Sequence, residues 1–307
     1  MTVSIRPPSR PGTLLALGVV ALLVGCGSDE VPIDAAGLPR CRMAQDMATL
    51  SEQITEASGV GISRMNVGTV WTHNDSGGEP LLFAVDAAGR LQGAVEVAGA
   101  EMNDWEDLAI AACDGGDCLY IADIGDNDLG RSHVTLYRVR EPLIGASETE
   151  GAERFEMRYP QGPRNAEAIF VLPQERVFIV TKGDQGPIEL FAYPGDLRSD
   201  EMVELEPVRT LSNGAVPLVD RVTGASAAPS GEWVAIRTYT SVLFYRPEPL
   251  LEGTEVEPLS ADLRIVGETQ GEGVAFGENG AIVIVGEGSE GSFPGSIAVL
   301  WCGLPDG

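Results

Sequence analysis

The chain has 307 residues, and its 46 Asp and Glu against 20 Lys and Arg give a formal net charge of −26. A surface this acidic repels nucleic acid and anionic lipid headgroups and attracts cations, so nucleic-acid binding is excluded. The composition, rich in Gly and Val, is that of a folded domain rather than of a disordered acidic tail.

The first 25 residues have the features of an export signal. Arg6 and Arg10 form a basic start, and the apolar run from Thr13 to Val24 is too short to span a bilayer. The run ends in Leu23-Val24-Gly25-Cys26, which resembles the lipobox of bacterial lipoproteins. The resemblance implies cleavage before Cys26 and acylation of that cysteine. The alternative is an ordinary signal peptide with a chance cysteine.

Cleavage at this point predicts a signal peptide at residues 1–25, a tether at 26–38 and a folded domain at 39–307. The mature chain keeps 18 basic and 46 acidic residues, a net charge of −28. Gly27 stands where an aspartate would favour the inner membrane. We therefore expect a cell-envelope protein that contacts the membrane through its lipid alone, in the outer membrane if the cell has one.

The other four cysteines predict disulfides, because an exported chain folds in an oxidising compartment. Cys113 and Cys118 flank Asp-Gly-Gly-Asp, a turn sequence, and are expected to staple a hairpin. Pairing Cys41 with Cys302 would close a loop of roughly 260 residues, which stabilises a fold by several kcal/mol in the chain-entropy model. Zinc is disfavoured because the chain has no Cys-x-x-Cys spacing.

One motif recurs along the domain at a spacing of about 50 residues. Each copy begins with a polar residue and continues into a short apolar strand, which further short strands and turns follow. The copies begin at Glu56, Glu106, Glu167, Gly224 and Glu272. Four short strands repeated radially are typical of a β-propeller, so the sequence predicts an all-β fold of five four-stranded blades. A β-sandwich is the rival fold.

The two ends of the domain are expected to close the ring. The fifth copy runs out of chain after its third strand, so the segment around Val31 to Arg42 would supply the fourth. From Met43 to Thr55 apolar residues recur at helical spacing, which predicts a helix. A sixth, degenerate blade within residues 30–56 is the alternative.

In a propeller, the loops that enter the innermost strands lie on the same face as the loops between second and third strands. Acidic residues are concentrated in these two sets of loops, so we expect carboxylates to converge on one mouth of the channel. Such a cluster must be hydrated, partly protonated or neutralised by a cation. Oxygen ligands in this number suit Ca²⁺, although turn formation also accounts for Asp and Asn after strands.

Four side chains are candidates for catalysis. Glu106 begins an innermost strand, and His133 is a candidate base near the loop of Asp126, although a lone histidine is more often structural. Lys182 and Arg237 are the cations predicted on the acidic mouth. They would bind a substrate phosphate or carboxylate, or balance neighbouring acids.

The central part of the chain resembles a group of uncharacterised secreted bacterial propeller proteins. The likeness covers roughly residues 55–195 and is carried by Trp71 to Gly77, Asp104 to Ala109, Ile124 to Asn127, Glu141-Pro142 and Asn165 to Ala168. More loosely, the arrangement is similar to the propeller superfamily of calcium-dependent phytases, esterase-like phytase domains and lactonases. That resemblance implies calcium at the mouth. The implied ligands are Asp104, Glu106, Asp123, Asp126 and Glu167, with Asp75 and Glu272 as further candidates.

Two functions are compatible with this pattern. The favoured one is a lipid-anchored binding scaffold, with a structural Ca²⁺ in the mouth and a protein or glycan ligand on one propeller face. The alternative is a Ca²⁺-dependent hydrolase of an ester, lactone or phosphoester. The scarcity of Lys and Arg on the predicted mouth disfavours a heavily phosphorylated substrate.

Overall fold

The computed structural model describes residues 41–253, 257–288 and 293–305. The predicted signal peptide, the lipidation site Cys26 and the tether lie outside these residues. Within them, no helix has the length and apolar character needed to cross a membrane.

The described residues are almost entirely strands. In chain order these are β1 (Cys41–Met43), β2 (Ala48–Thr49), β3 (Ala57–Ile62), β4 (Thr69–Asn74), β5 (Leu81–Asp86), β6 (Leu91–Glu96), β7 (Trp105–Cys113), β8 (Gly116–Asp123), β9 (Val134–Arg140), β10 (Glu153–Arg158), β11 (Ala166–Leu172), β12 (Arg176–Thr181), β13 (Glu189–Ala192), β14 (Val203–Glu204), β15 (Glu206–Thr210), β16 (Val222–Ala227), β17 (Val234–Thr238), β18 (Ser241–Tyr245), β19 (Leu259–Asp262), β20 (Gln270–Phe276), β21 (Ala281–Glu287) and β22 (Ser296–Cys302). One short helix, α1 (Pro247–Glu252), and 3-10 turns at Leu218–Asp220 and Glu278–Gly280 complete the set.

The strands form five sheets around a central channel. Blade 1 contains β3 to β6, blade 2 contains β7 to β10 with β14 added in parallel, and blade 3 contains β11, β12, β13 and β15. Blade 4 contains β16 to β19, and blade 5 contains β20 to β22 with β1. The innermost strand of each blade contacts that of the next, and β20 contacts β3. The predicted five-bladed propeller is therefore confirmed, and the sandwich is excluded.

The N-terminal strand closes the ring, as expected. β1 pairs antiparallel with β22, which places Cys41 opposite Cys302, and these two residues form a disulfide. Cys113 and Cys118 form the second disulfide, at the turn between β7 and β8. Both predicted disulfides are confirmed.

The predicted helix from Met43 to Thr55 is wrong. The segment instead runs along the edge of β22, where β1 and β2 both pair. An open strand edge offers a row of unpaired backbone groups, and an extended chain satisfies them. Leu50 and Ile54, two of the residues that suggested a helix, are buried between blades 5 and 1.

A hydrophobic cluster fills each of the five interfaces between adjacent blades. Between blades 1 and 2, for example, Trp71 and Leu82 pack with Leu108, Leu119 and Tyr137. Because neighbours cover both faces of a blade, its inner strands are apolar almost throughout, rather than alternating as in a sheet with one wet face.

Candidate functional site

The five innermost strands share an irregularity at the end that forms the channel mouth. In β3, β7, β11, β16 and β20 the pairing register with the following strand shifts after the first residues. Such β-bulges re-aim a side chain out of the regular ladder. The polar residues within the shifts are Ser58, Glu106, Glu167, Thr223 and Glu272, one from each blade. We call these five residues the mouth ring.

The two hydroxyl residues of the mouth ring tie neighbouring blades together. Ser58 Oγ donates to the backbone carbonyl of Glu106 at 2.5 Å, and Thr223 Oγ1 donates to that of Glu272 at 2.9 Å. The other three members of the mouth ring, Glu106, Glu167 and Glu272, interact with neighbouring side chains through their carboxyl groups. Each is no more than 6 % exposed, so their protonation is governed by neighbours as well as by water.

Glu106, Glu167 and Lys182 form a hydrogen-bonded chain. Lys182 Nζ lies 2.6 Å from Glu167 Oε1. Burial, the charges of Glu167 and Asp104, and a hydrogen bond to Glu167 raise the pKa of Glu106 well above its usual value. Burial also raises the pKa of Glu167, while Lys182 and the hydrogen bond from Glu106 act in the opposite direction. Glu106 is therefore the protonated member and donates to a Glu167 carboxylate that Lys182 holds from the other side.

A second pair of carboxyls lies on blade 5. Gln270 Nε2 lies 2.8 Å from both Glu272 Oε1 and Glu287 Oε2. Burial and the charges of Glu167 and Glu287 raise the pKa of Glu272 well above its usual value. Burial and nearby carboxylates raise that of Glu287 to about 7. Tyr239 completes this side, since burial and the charge of Glu272 raise the pKa of its hydroxyl.

Asp75 and Asp104 lie around the mouth ring. A methyl group added at Gly125 would lie 2.1 Å from Glu106 Oε1 and 2.3 Å from Asp104 Oδ2, so both carboxyls crowd against this glycine. Burial and the charge of Asp75 raise the pKa of Asp104. A residue larger than glycine at position 125 would displace both carboxyl groups.

Two of the predicted metal ligands are engaged by residues of the loops before β7 and after β8. Asp123 pairs with Arg131 at 2.8 Å and accepts a hydrogen bond from Asn103 Nδ2 at 2.9 Å. Asp126 accepts from the backbone N–H groups of Gly130 and Arg131, at 2.8 and 2.9 Å. The structure thus brings together Glu106, Glu167 and Glu272, with Asp75 and Asp104 beside them. It uses Asp123 and Asp126 to shape the loop after β8.

Arg237 is buried beside the mouth rather than exposed on it, and it donates a hydrogen bond to the carbonyl of Gly273, the residue after Glu272. Its side chain is fully buried, donates to two backbone carbonyls of blade 5 and pairs with Glu268 at 2.5 Å. His133 lies in the loop before β9, where its ring nitrogen Nδ1 is 3.2 Å from Ser132 Oγ. Catalytic roles for these two residues stay predictions.

Sequence reasoning missed the register of the mouth ring. The repeat was aligned on Glu56 and Gly224, whereas the bulges select Ser58 and Thr223. Tyr239, Gln270 and Glu287 are not among the candidate residues of the sequence analysis. Aligning the five inner strands on the residue that follows each ring member would have found the ring, since this residue is Gly or Ala in four of the five blades and Asp107 in the other.

The mouth supplies oxygen atoms, which are the ligands that Ca²⁺ prefers. In the described part of the chain, however, no three His, Cys, Asp or Glu side chains are grouped so as to hold a metal ion. Lys182 Nζ lies 2.6 Å from Glu167 Oε1, so a cation held by Glu167 would share this carboxyl group with Lys182. Calcium stays a prediction.

The chain shares its fold with solved propeller structures. The PQQ-bound aldose sugar dehydrogenase of Streptomyces coelicolor is 14 % identical with a TM-score of 0.50, over 89 % of this chain and 99 % of that one. The Malassezia sympodialis allergen Mala s 1 is 10 % identical with a TM-score of 0.52, over 83 % and 94 %. What they share is the β-propeller fold. No family model matches the chain, and no curated protein does. The resemblance to calcium-dependent phytases stays a prediction.

Proposed function

We propose that the protein is a lipid-anchored binding scaffold of the cell envelope, and that its acidic mouth holds a positively charged group of the ligand. The observation that carries the proposal is the charge of the mouth. In the described part of the chain, the charge of Glu167 raises the pKa values of Glu106, Glu272 and Glu287, and Lys182 is the cation whose charge acts on all four glutamates.

Burying four carboxyl groups around one ammonium group is costly unless other positive charge is supplied. In the free protein, protons supply it, as the raised pKa values of these glutamates indicate. A ligand cation would replace protons and gain hydrogen bonds to ionised carboxylates, which are stronger than those to neutral groups.

Calorimetric titration with methylammonium, a minimal organic cation, tests the proposal. Glu287 is half-buried at the edge of the cluster, so Glu287→Gln removes charge with little risk to the fold. We expect the variant to bind about tenfold more weakly or worse. Glu150→Gln, at an exposed position away from the mouth, is the matched control. Equal affinities in all three proteins would contradict the proposal.

Calcium in the same mouth is tested separately. The test is metal analysis of the purified protein together with its melting temperature at increasing calcium concentration. Retained calcium, or a rise in melting temperature that Glu287→Gln reduces, would support it. No retained metal and an unchanged melting temperature would contradict the calcium prediction but leave the organic cation standing.

Hydrolysis of an ester, lactone or phosphoester is the second candidate function. The hydrogen bonds that link Lys182 to Glu167 and Glu167 to Glu106 favour it. A buried, protonated carboxyl held by a carboxylate is suited to donate a proton to a leaving group. A panel of these three substrate classes should show activity in the wild type and a loss of about a hundredfold in Glu106→Gln. Activity that survives this substitution would remove the proposed acid.

The anchor has its own test. Cys41 lies at the end of blade 5 opposite to Gln270 and Glu287, so the chain enters the propeller on the face away from the mouth. In cells, Cys26→Ala should shift the protein from the membrane fraction to the soluble fraction. An unchanged membrane fraction would contradict lipidation at Cys26.

A further inference from the structure

A cavity of about 340 Å³ adjoins the mouth where blade 4 meets the connection to blade 5. Tyr239 and Gln270 line this cavity and also belong to the acidic mouth. The cavity therefore borders the site proposed above, and its volume is in the range of small-molecule sites.

Part of the outer wall of the cavity is apolar, and hydrogen bonds to its backbone hold this part in position. Leu218 is 59 % exposed and Val219 is 48 % exposed, on the 3-10 turn before β16. The Val219 carbonyl accepts a hydrogen bond from Thr240 Oγ1 at 3.1 Å, and the Leu218 carbonyl accepts one from the N–H of Arg221 at 3.2 Å. The turn thus holds two large apolar side chains in water beside a charged mouth, while Leu263 lines the same cavity from below the surface.

The charge on the cavity wall is already balanced. Glu268 lines the cavity, but its carboxylate is 2.5 Å from the guanidinium of Arg237. The cavity is consequently not a second cation site, and Leu218, Val219 and Leu263 are the apolar part of its wall.

We infer that the ligand of the mouth is an amphipathic organic cation, with an ammonium group among the carboxylates and an alkyl or aryl arm in this cavity. The inference rests on the proposed function for its charged end. The negative charge of the mouth favours an ammonium head group. The exposed Leu218 and Val219 favour an alkyl or aryl arm, because an arm that covers these side chains removes apolar surface from water.

Calorimetric titration of the whole mature protein with methyl-, butyl- and hexylammonium chloride tests the inference. Each methylene that enters the cavity should tighten binding by about three- to fourfold. In the double variant Leu218→Asn, Val219→Asn this increment should fall below about 1.5-fold, because the apolar wall is gone. Methylammonium, which has no arm, should bind the double variant as it binds the wild type.

Both substituted residues are exposed, so the double variant is expected to fold. Leu143→Asn, 64 % exposed beyond the end of β9 away from the mouth, is the control and should keep the full increment. Affinity independent of chain length, or an increment that survives in the double variant, would overturn the inference and leave the proposed function intact. Hexan-1-ol that binds as tightly as hexylammonium would instead overturn the charged head group, and with it the proposed function.

Discussion

Glu141 is 3 % exposed at the interface between blades 1 and 2. Its carboxylate accepts hydrogen bonds from the side chains of Ser63, Asn66 and Trp71 and from the backbone N–H groups of Arg64 and Met65. Charge-assisted bonds in this number offset the cost of burying the carboxylate. The Glu-Pro pair that stood out in the sequence therefore fixes the turn between β3 and β4.

We predict that Glu141→Gln lowers the free energy of unfolding by about 2–4 kcal/mol, because an amide group turns one acceptor into a donor among five donors. Urea denaturation of the variant and of Glu150→Gln, an exposed position, measures the difference. A loss as small as that of the control would show that the carboxylate is not needed there.

His73 is a second buried polar residue whose side chain is enclosed by protein rather than exposed to solvent. It is fully buried, and its Nδ1 is 2.9 Å from the Asn74 carbonyl. Its ring meets Trp105 edge to face. Burial lowers the pKa of His73 to about 4, so the neutral imidazole is the folded form.

This lowered pKa predicts a pH-dependent contribution to stability. Below about pH 6.5 the unfolded chain binds a proton at this histidine, and the folded chain does not until about pH 4. Stability from this group is therefore complete above pH 6.5 and declines as the pH falls, by up to about 3 kcal/mol. Between pH 7.5 and 4.5, His73→Gln should lose less stability than the wild type in urea denaturation. Equal losses would contradict the prediction.

At the scale of elements, the inner strands approach one another too closely for ordinary side chains. A methyl group at Gly59 would lie 2.4 Å from the backbone nitrogen of Leu108, and one at Gly273 would lie 2.3 Å from the carbonyl of Ser58. Asp107 occupies the equivalent position of β7, but there a side chain fills the space and binds the neighbouring backbone. Its Oδ2 accepts the N–H groups of Ile169 in β11 and Ala225 in β16, at 2.9 and 3.0 Å.

Asp107 therefore joins three blades at the channel. We predict that Asp107→Asn lowers the free energy of unfolding by about 2–4 kcal/mol, because an amide cannot replace every bond that the carboxylate makes. Asp128→Asn, at an exposed position, is the control for urea denaturation. A change of less than about 0.5 kcal/mol, typical of a surface substitution, would refute a linking role.

At the scale of the whole molecule, the ring depends on joining the two ends of the described chain. The last blade is complete only when β1 adds to β22, and the Cys41–Cys302 disulfide joins residues 261 apart in sequence. The Cys113–Cys118 disulfide, with a separation of 5, constrains only one hairpin.

We predict that replacing Cys41 and Cys302 by serine costs about 5 kcal/mol, against about 2 kcal/mol for Cys113 and Cys118, because the longer loop restricts the unfolded chain more. Guanidinium denaturation of the two double variants under oxidising conditions gives the comparison. Equal losses would mean that ring closure is maintained by strand pairing and interface packing alone.

Much of this architecture could be predicted from the sequence because it depends on local pattern. Short apolar strands separated by turns recur five times, and a blade is a local unit of antiparallel neighbours. Cys113 and Cys118 flank a turn, so their pairing could be predicted as well. The helix prediction for Met43 to Thr55 failed because periodicity does not reveal that a distant strand, β22, leaves an edge to be paired.

Tertiary structure alone decided which polar residues form the mouth. One-residue bulges change the face on which a side chain lies, and the sequence pattern does not mark them, so Ser58 and Thr223 were overlooked. The partners of Arg237 and Asp107 come from other blades, and only the packing of the blades around the ring brings these together. The sequence by itself determined the blades, the disulfides and the acidic character. The closed ring decided which carboxyl groups share a proton and which accept hydrogen bonds from backbone N–H groups.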